Sequence, residues 1–386
     1  MAFYVRKGNI PPKRHTQFRQ PDGSLYAEEL VSSLGFSGIY SNLYHINPPT
    51  RVKEIKKSVA YGTKPDKDLT LQQIHLNTSG VKNTGSDFLD SRKVLLMNDD
   101  VSMALCMPSR QSMDYYYKNA EADELLFIHD GSGYMYSQFG KLKIQAGDYV
   151  VIPRTTIYKL EWDTSEIRYL TIESASPIET VSRYRNDLGQ LLEHSPYCER
   201  DIHPPQELIT EESKGDYHVK IKKGGYIHHY VYDHSPFDLV GWDGFLYPCT
   251  LSIHDFEPIT GRIHQPPPVH QTFQAAGYVI CSFVPRLFDY HPDAIPAPYN
   301  HSNIDSDEVL YYVEGNFMSR KGIDRGSFTL HPGGLPHGPH PGTVEKSIGA
   351  KETEELAVML DTFRPLYVTE EGKEFMDKKY PMSWTE

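Results

Sequence analysis

The stretch that decides the fold is residues 308–337, which read EVLYYVEGNFMSRKGIDRGSFTLHPGGLPH. A carboxylate, Glu308, stands at the start of a β-rich run, and a turn glycine, Gly315, ends that run. Gly326 then opens a second β-rich run that ends at Pro332, and His337 follows in a glycine-rich loop. Short strands separated by glycine turns are typical of a barrel or sandwich. Two facing strands of a barrel wall can bring Glu308 and His337 to one interior point.

The same skeleton occurs earlier in the chain. Glu124 is followed seven positions later by Gly131, and Gly147 is followed by five β-formers and Pro153. An internal repeat of this kind indicates a duplicated structural unit.

The earlier copy lacks the histidines of the later one. Tyr158 stands where the later copy has His337, and Tyr117 stands where it has His301. A skeleton without metal-ligating side chains is a structural barrel, so only the second copy is expected to bind a metal.

The repeated skeleton resembles the two sequence motifs of the cupin superfamily, which forms a double-sheet β-barrel of the jelly-roll type. The first motif is a histidine with Glu-x6-Gly, and the second is Gly-x5-Pro-x-Gly-x2-His. The sequence therefore predicts a mainly β bicupin with two jelly-roll-type barrels, the first degenerate and the second metal-binding.

The predicted domains follow from this repeat. Residues 1–230 form an N-terminal domain whose barrel core spans about 93–175, and residues 231–386 form a C-terminal catalytic cupin domain. Glycine and proline, at 28 each, and 27 tyrosines agree with a chain of strands and turns. The tract 35–49 is predicted to be irregular, the stretch 195–224 to connect the halves, and Phe245–Tyr247 to be a strand.

Composition excludes several classes of protein. The chain of 386 residues carries a formal charge of −12, which disfavours nucleic acid as a partner. No apolar run approaches the roughly 18 residues of a membrane span, and the basic, polar beginning is unlike a secretory signal. Four separated cysteines form no CxxC pair and suit a reducing compartment. We expect a cytoplasmic protein that is not embedded in a membrane.

The candidate metal ligands are His301, Glu308 and His337. Two imidazoles and one carboxylate are typical of non-haem Fe(II) oxygenases, although Zn(II), Mn(II) and Ni(II) also bind such donors. His331 is expected to face the same pocket, as a hydrogen-bond donor behind the ligands or a substrate contact. His340 follows a proline and is expected to be exposed.

A second histidine-rich stretch, Arg262–His270, contains three consecutive prolines. These prolines stiffen the loop and would hold His264 or His270 in a fixed place.

At these residues the chain resembles the homogentisate 1,2-dioxygenase family over most of its length. The resemblance is carried by YNHSN at 299–303, by LHPGGLPHGP at 330–339, by SNLYHINP at 41–48 and by GWDG at 241–244. It implies that His301, Glu308 and His337 bind Fe(II), and that His264, or less readily His270, does acid–base work on the substrate hydroxyl. His337, Phe317 and His331 are the implied substrate contacts.

The implied reaction opens the ring of homogentisate with O2 to give maleylacetoacetate, in the breakdown of phenylalanine and tyrosine. The family also implies a homo-oligomer, a hexamer made of two trimers. Phe317 stands where the family has a substrate-contacting tyrosine, so a related dioxygenase of another hydroxylated aromatic acid, gentisate-like, is an alternative. A zinc or manganese cupin isomerase is another. Arg262, Arg320 and Lys321 are candidates for binding the substrate carboxylate.

Overall fold

Strands make up most of the ordered structure. The structure is a computed structural model that describes residues 3–68, 70–315, 317 and 322–385. In chain order its strands are β1 Val5–Gly8, β2 Ala27–Ser32, β3 Tyr40–His45, β4 Glu54–Ala60, β5 Ile74–Leu76, β6 Lys93–Met97, β7 Val101–Cys106, β8 Tyr116–Asn119, β9 Asp123–Asp130, β10 Ser132–Ser137, β11 Gly140–Gln145, β12 Asp148–Ile152, β13 Ile157–Trp162, β14 Arg168–Ser174, β15 Glu179–Thr180, β16 Ile202–His203, β17 Lys214–Lys223, β18 Tyr226–His234, β19 Leu239–Gly244, β20 Cys249–Ser252, β21 Gln271–Ala275, β22 Tyr278–Phe283, β23 Arg286–Leu287, β24 Asp307–Glu314, β25 Phe328–His331, β26 Glu352–Thr353, β27 Leu356–Thr362 and β28 Tyr367–Val368.

The helices are short. One α-helix, α1, spans Thr343–Ser347, and the single-turn 3-10 segments are Leu34–Phe36, Ser182–Tyr184, Glu199–Asp201, Ile253–Asp255, Pro267–His270, Gly372–Phe375 and Tyr380–Thr385. Within the ranges that the structure describes, no helix is long and apolar enough to cross a membrane.

Four sheets carry the architecture. Sheet I has the strand order β1-β19-β3-β2, sheet II β11-β10-β13-β8-β17-β18-β4, sheet III β16-β20-β12-β9-β14-β7-β6-β28 and sheet IV β15-β21-β22-β27-β24-β25-β5. A two-stranded ribbon, β23 with β26, lies apart from them.

Sheet III is the central layer and is buried on both faces. Side chains alternate between the faces of a strand, and in β9 Leu126 and Ile128 join the core shared with sheet II. Leu125 and Phe127 of the same strand join the core shared with sheet IV. Because both faces are covered, β9 is an almost continuous apolar run.

Sheet IV buries one face against sheet III and leaves the other for the candidate site. Val309 and Tyr311 of β24 pack in the core shared with sheet III. Glu308, Leu310 and Tyr312 alternate with them and therefore lie on the opposite face.

The two copies of the repeated skeleton share unusual backbone angles. Gly131 and Gly315 have φ of 112° and 102°. At the end of the skeleton Thr155 has φ of 69° where Gly334 has φ of 80°. A β-branched residue in this left-handed region is strained, so Thr155 keeps the backbone turn of the repeat without its glycine.

Strands cross between the two halves of the sequence. β5, from the first hundred residues, pairs with β25 at the edge of sheet IV, and β28, near the end, pairs with β6 in sheet III. The division into domains at residue 230 therefore stays a proposal.

Three local predictions were wrong. The tract 35–49 contains β3, which is buried and held in register by β2 on one side and β19 on the other. The stretch 195–224 contains the ten residues of β17, paired with β18. Phe245–Tyr247 is not a strand, because Tyr247 turns inward and packs on Trp242 with ring centroids 5.5 Å apart. A distant pairing, that of β3 with β19, decided the first of these, and the hairpin of β17 with β18 decided the second.

The predicted fold class, a mainly β bicupin, is confirmed. Among the described residues no sheet closes into a complete ring. The loops before β24 and after β25 carry His301 and His337.

Candidate metal centre

The three predicted ligands meet at the open face of sheet IV. Glu308 is the second residue of β24, and His337 lies in the loop after β25. His301 lies in the loop before β24 and is tied to His337 by two backbone hydrogen bonds, its N–H to the His337 carbonyl at 2.8 Å and the reverse at 2.9 Å. This two-residue bridge fixes the spacing of the imidazoles independently of the sheet.

Gly338 allows the two loops to approach. A Cβ at this position would lie 2.8 Å from the Asn300 Cα and 2.2 Å from its Oδ1. A side chain would therefore push apart the segments that carry the two histidines.

One ligating atom from each of the three residues lies within 4.8 Å of the others. His301 Nε2 is 3.4 Å from Glu308 Oε2, and His337 Nε2 is 3.4 Å from Glu308 Oε1. Donor atoms this close together could be held by one divalent cation, with His301, Glu308 and His337 as its ligands.

His337 Nε2 gives a direct test of whether a metal fits. This nitrogen is buried and has no hydrogen-bond partner. Buried polar atoms are rarely left unsatisfied without a reason such as an ion. The donor set and this nitrogen both fit a divalent transition metal.

Glu308 is held as a carboxylate. Burial raises its pKa, but the neighbouring imidazoles of His301, His331 and His337 outweigh that effect and bring the pKa well below its usual value. The charge that a cation needs is therefore present at neutral pH.

His331 stands behind the carboxylate. Its Nδ1 is 2.9 Å from Glu308 Oε1, and its Nε2 is 3.1 Å from the Tyr380 hydroxyl. The His331 ring is completely buried and stacks on His337 with centroids 4.6 Å apart. This geometry suits the predicted role of a donor that orients a ligand. A substrate contact by His331 stays a prediction.

The C-terminal segment covers this side of the site. The prediction that His340 is exposed was wrong: it is 1% exposed, stacks on Trp384 at 4.5 Å, and its Nε2 lies 2.8 Å from the Ser383 hydroxyl. Nothing in the sequence pattern linked Tyr380 or Trp384 to a loop forty residues earlier, so both were missed.

His264 lies on the solvent side of the site. Its side chain is 60% exposed, and its Nδ1 is 3.5 Å from a carboxylate oxygen of Asp289. The ring of Tyr299 lies between His264 and His301, with centroid distances of 5.4 and 5.9 Å. His264 is thus placed near the ligands without contacting them.

His270, the other candidate base, is buried. Its ring packs on Phe283 with centroids 4.6 Å apart, and its Nδ1 has no hydrogen-bond partner. Burial, with a smaller effect from the charge of Arg286, lowers its pKa to about 3. His270 is therefore neutral at pH 7.

An apolar cluster forms the wall beside these groups. Phe317 packs with Tyr312 at 4.5 Å, with Ala357, and against Phe283 and Leu310. Phe317 is thus on the face that carries Glu308, as a substrate contact requires. Of the three residues predicted to bind the substrate carboxylate, Arg262 is exposed, and Arg320 and Lys321 lie outside the described residues.

Asp361 was not predicted from the sequence. It pairs with Glu308 across β24 and β27, and one of its carboxylate oxygens is buried without a hydrogen-bond partner. Burial and the neighbouring charge of Glu308 raise its pKa to about 7.

In the first copy of the repeat an arginine lies at the corresponding place. Arg92 Nη1 is 2.7 Å from Glu124 Oε1, and the Tyr158 hydroxyl donates to the other oxygen at 2.8 Å. The Tyr117 hydroxyl lies 3.4 Å from the same carboxylate. A guanidinium here supplies the positive charge that a metal would bring, and the absence of a metal site from this barrel stays a prediction.

Comparisons with known proteins agree with this geometry. Residues 6–253 match the family model described as "Homogentisate 1,2-dioxygenase N-terminal". "Putative dioxygenase SSO1533" of Saccharolobus solfataricus is 42% identical over 386 residues, which cover 100% of this chain and 99% of that one. "Homogentisate 1,2-dioxygenase" of Nitrobacter hamburgensis is 26% identical over 94% of this chain and 86% of its own.

Solved structures give weaker likenesses. A cupin 2 conserved barrel domain protein from Leptotrichia buccalis is 11% identical with a TM-score of 0.31, covering 82% of this chain and 100% of its own. The family assignment rests on the sequence matches, which span the whole chain. The chain is an oxidoreductase and belongs to the homogentisate 1,2-dioxygenase family.

Proposed function

We propose that this protein is an Fe(II)-dependent dioxygenase that opens the ring of homogentisate with O2 to give maleylacetoacetate. One observation carries the proposal: two histidines and a carboxylate meet within 4.8 Å, and a buried imidazole nitrogen among them has no partner. Family membership supplies the reaction type, and the donor set supports iron as the metal.

The metal would be held by His301, Glu308 and His337. When bound, it would supply Lewis-acid and oxygen chemistry at the positions that the protein leaves open. The remaining side chains orient groups, move protons and shelter the site. His331 fixes the Glu308 carboxylate through its hydrogen bond, and the stacked ring of His331 fixes the plane of His337.

The proton on the substrate hydroxyl is assigned to His264. Histidine is the side chain that most often does general acid–base work, and the ring of His264 lies beside Tyr299 on the open side of the site. The Asp289 carboxylate, 3.5 Å from Nδ1, would favour the protonated ring once the transfer has occurred. His270 is a poorer base, because burial lowers its pKa to about 3.

Phe317 supports a second candidate substrate. A phenyl ring stacks on an aromatic substrate but cannot donate a hydrogen bond to its hydroxyl. A related hydroxylated aromatic acid such as gentisate is therefore the alternative, and a zinc or manganese isomerase is the alternative outside oxygen chemistry.

Anaerobic loading with Fe(II), followed by metal analysis and oxygen uptake, tests the proposal. We expect one iron per chain and one O2 consumed per homogentisate. Glu308→Gln should lose the iron, whereas Glu314→Gln, an exposed position on the same strand, should keep it. If oxygen is consumed with gentisate but not with homogentisate, gentisate replaces homogentisate as the proposed substrate. A protein that binds zinc and consumes no oxygen would overturn the proposal.

Assembly and location also belong to the proposal. We expect a homo-oligomer, two trimers forming a hexamer, in the cytoplasm. The turn at Leu34 and Phe36 leaves these side chains 72% and 75% exposed, which suits a contact between subunits. Light scattering of the purified protein would give the number of chains.

A further inference from the structure

Arg286 is a partly buried cation that lacks a counter-charge. It begins β23, and among the described residues its guanidinium makes no ion pair within 4 Å and donates no hydrogen bond to the protein. Burial lowers its pKa, and the charges of Glu355 and Asp289 offset this only in part. An unpaired charge in such a place is costly unless something binds it.

The other arginines of residues 231–386 that the structure describes are accounted for. Arg325 donates to Asp130 at 2.6 Å, and Arg364 lies 3.3 Å from Asp100. Arg262 is exposed to solvent. Arg286 alone among these four combines burial with the lack of an anionic partner.

Arg286 lies close to the apolar wall of the candidate site, because it follows Phe283 by three residues and Phe283 packs against the cluster of Phe317 and Tyr312. On one side its charge acts on His270, whose ring packs on Phe283, and Phe283 adjoins the apolar cluster of Phe317 and Tyr312. This cluster lies on the face of sheet IV that carries Glu308.

On its other side Arg286 is within electrostatic reach of Asp289. Asp289 lies 3.5 Å from His264, and the ring of Tyr299 links His264 to His301. Arg286 is therefore three residues along the chain from Phe283 of the apolar wall and three residues from Asp289, which lies beside His264.

We propose that Arg286 binds the carboxylate of an aromatic acid substrate, with the ring of that substrate against the apolar cluster around Phe317. The inference rests on the proposed function for the site but concerns recognition, not oxygen chemistry. A guanidinium matches a carboxylate with two parallel hydrogen bonds, and the ligand would supply the missing charge.

Calorimetric binding of phenylacetate to the purified protein tests the inference without turnover. Hydrogen bonds to charged groups predict that Arg286→Gln weakens binding roughly 10- to 100-fold. The matched variant Arg262→Gln should bind phenylacetate within about twofold of wild type, because this arginine is exposed to solvent.

Two further measurements make the outcome independent of how well the variant folds. Wild type should bind phenylacetamide, which has the same shape without the charge, roughly tenfold or more weakly than phenylacetate. In the iron-loaded enzyme, Arg286→Gln should lower the preference in kcat/KM for homogentisate over methylhydroquinone by a similar factor.

Equal binding of phenylacetate and phenylacetamide would overturn the inference. It would also be overturned if Arg262→Gln lost phenylacetate binding while Arg286→Gln kept it. If wild type binds phenylacetate through Arg286 but consumes no oxygen with any aromatic diol, the proposed function fails while the carboxylate site stands. If oxygen uptake occurs and Arg286→Gln does not alter the preference, the carboxylate site fails and the proposed function stands.

Discussion

Replacing Arg92 with methionine removes the cation from the first barrel while keeping a side chain of similar length. The Arg92 and Glu124 side chains are 2% and 1% exposed, with Nη1 and Oε1 2.7 Å apart. Arg92 also pairs with Glu173, and its guanidinium lies 4.3 Å from the ring centroid of Phe88. The substitution leaves a buried carboxylate with only tyrosine hydroxyls nearby.

The expected cost follows from this burial. Removing one partner of a buried ion pair typically costs about 3–5 kcal/mol, because the remaining charge is uncompensated. Glu124→Gln should cost less, about 1–3 kcal/mol, since Arg92 keeps Glu173 as a partner. The double variant, Arg92→Met with Glu124→Gln, leaves no unpaired charge at Glu124 and should be more stable than Arg92→Met alone.

Urea unfolding followed by tryptophan fluorescence measures these differences. Arg110→Met, at an arginine whose side chain is 58% exposed, is the control and should cost less than about 0.5 kcal/mol. A cost below about 1 kcal/mol for Arg92→Met, or a double variant less stable than Arg92→Met, would refute the reasoning. Iron content should stay at one per chain in every variant.

Four further predictions concern single side chains. His264→Gln should keep its iron and lose roughly 10²–10⁴-fold in turnover. If His264→Gln is fully active and His270→Gln is inactive, His270 is the base in place of His264. Phe317→Tyr should lower the KM for homogentisate several-fold if a hydrogen bond worth about 0.5–1.5 kcal/mol is regained. An inactive variant would instead show that the pocket is packed tightly around the phenyl ring and has no room for a hydroxyl. Thr155→Gly should raise the free energy of unfolding by about 1 kcal/mol through relief of its positive φ, and a loss would contradict the strain. Burial lowers the pKa of His45, but hydrogen bonds to the buried Asp238 and the half-buried Glu29 raise it to about 9. The stabilising effect of His45 should therefore be complete below about pH 6.5 and lost as the pH rises through about 9. Over that range the difference in free energy of unfolding between wild type and His45→Gln should narrow by roughly 2–3 kcal/mol in urea titrations. A difference that stays constant with pH would contradict this.

The sequence determined the repeat and the candidate ligand set because both depend on local spacing. Glu308 and Gly315 lie within one strand and its turn, and Gly326 and His337 lie within the next. Chain connectivity holds these residues together in any fold that uses the strands, so the pattern identified them without knowledge of the other sheets.

The tertiary structure decided what surrounds these ligands. Tyr380 and Trp384 cover His331 and His340 from the C-terminus, and Asp361 comes beside Glu308 through the pairing of β27 with β24. These contacts join residues about 45 to 55 positions apart, and no local period records which distant strand or segment will pack there.

The environment of each charged group was also decided by the tertiary structure. Sequence proximity selected Arg262, but the structure leaves it exposed and instead buries Arg286 beside His270. In the first barrel no sequence pattern near Glu124 predicts that Arg92 supplies the counter-charge of this carboxylate. Spacing along the chain tells which residue types recur, whereas burial and the partner of each charge are set only when the sheets pack, because both depend on atoms from distant parts of the chain.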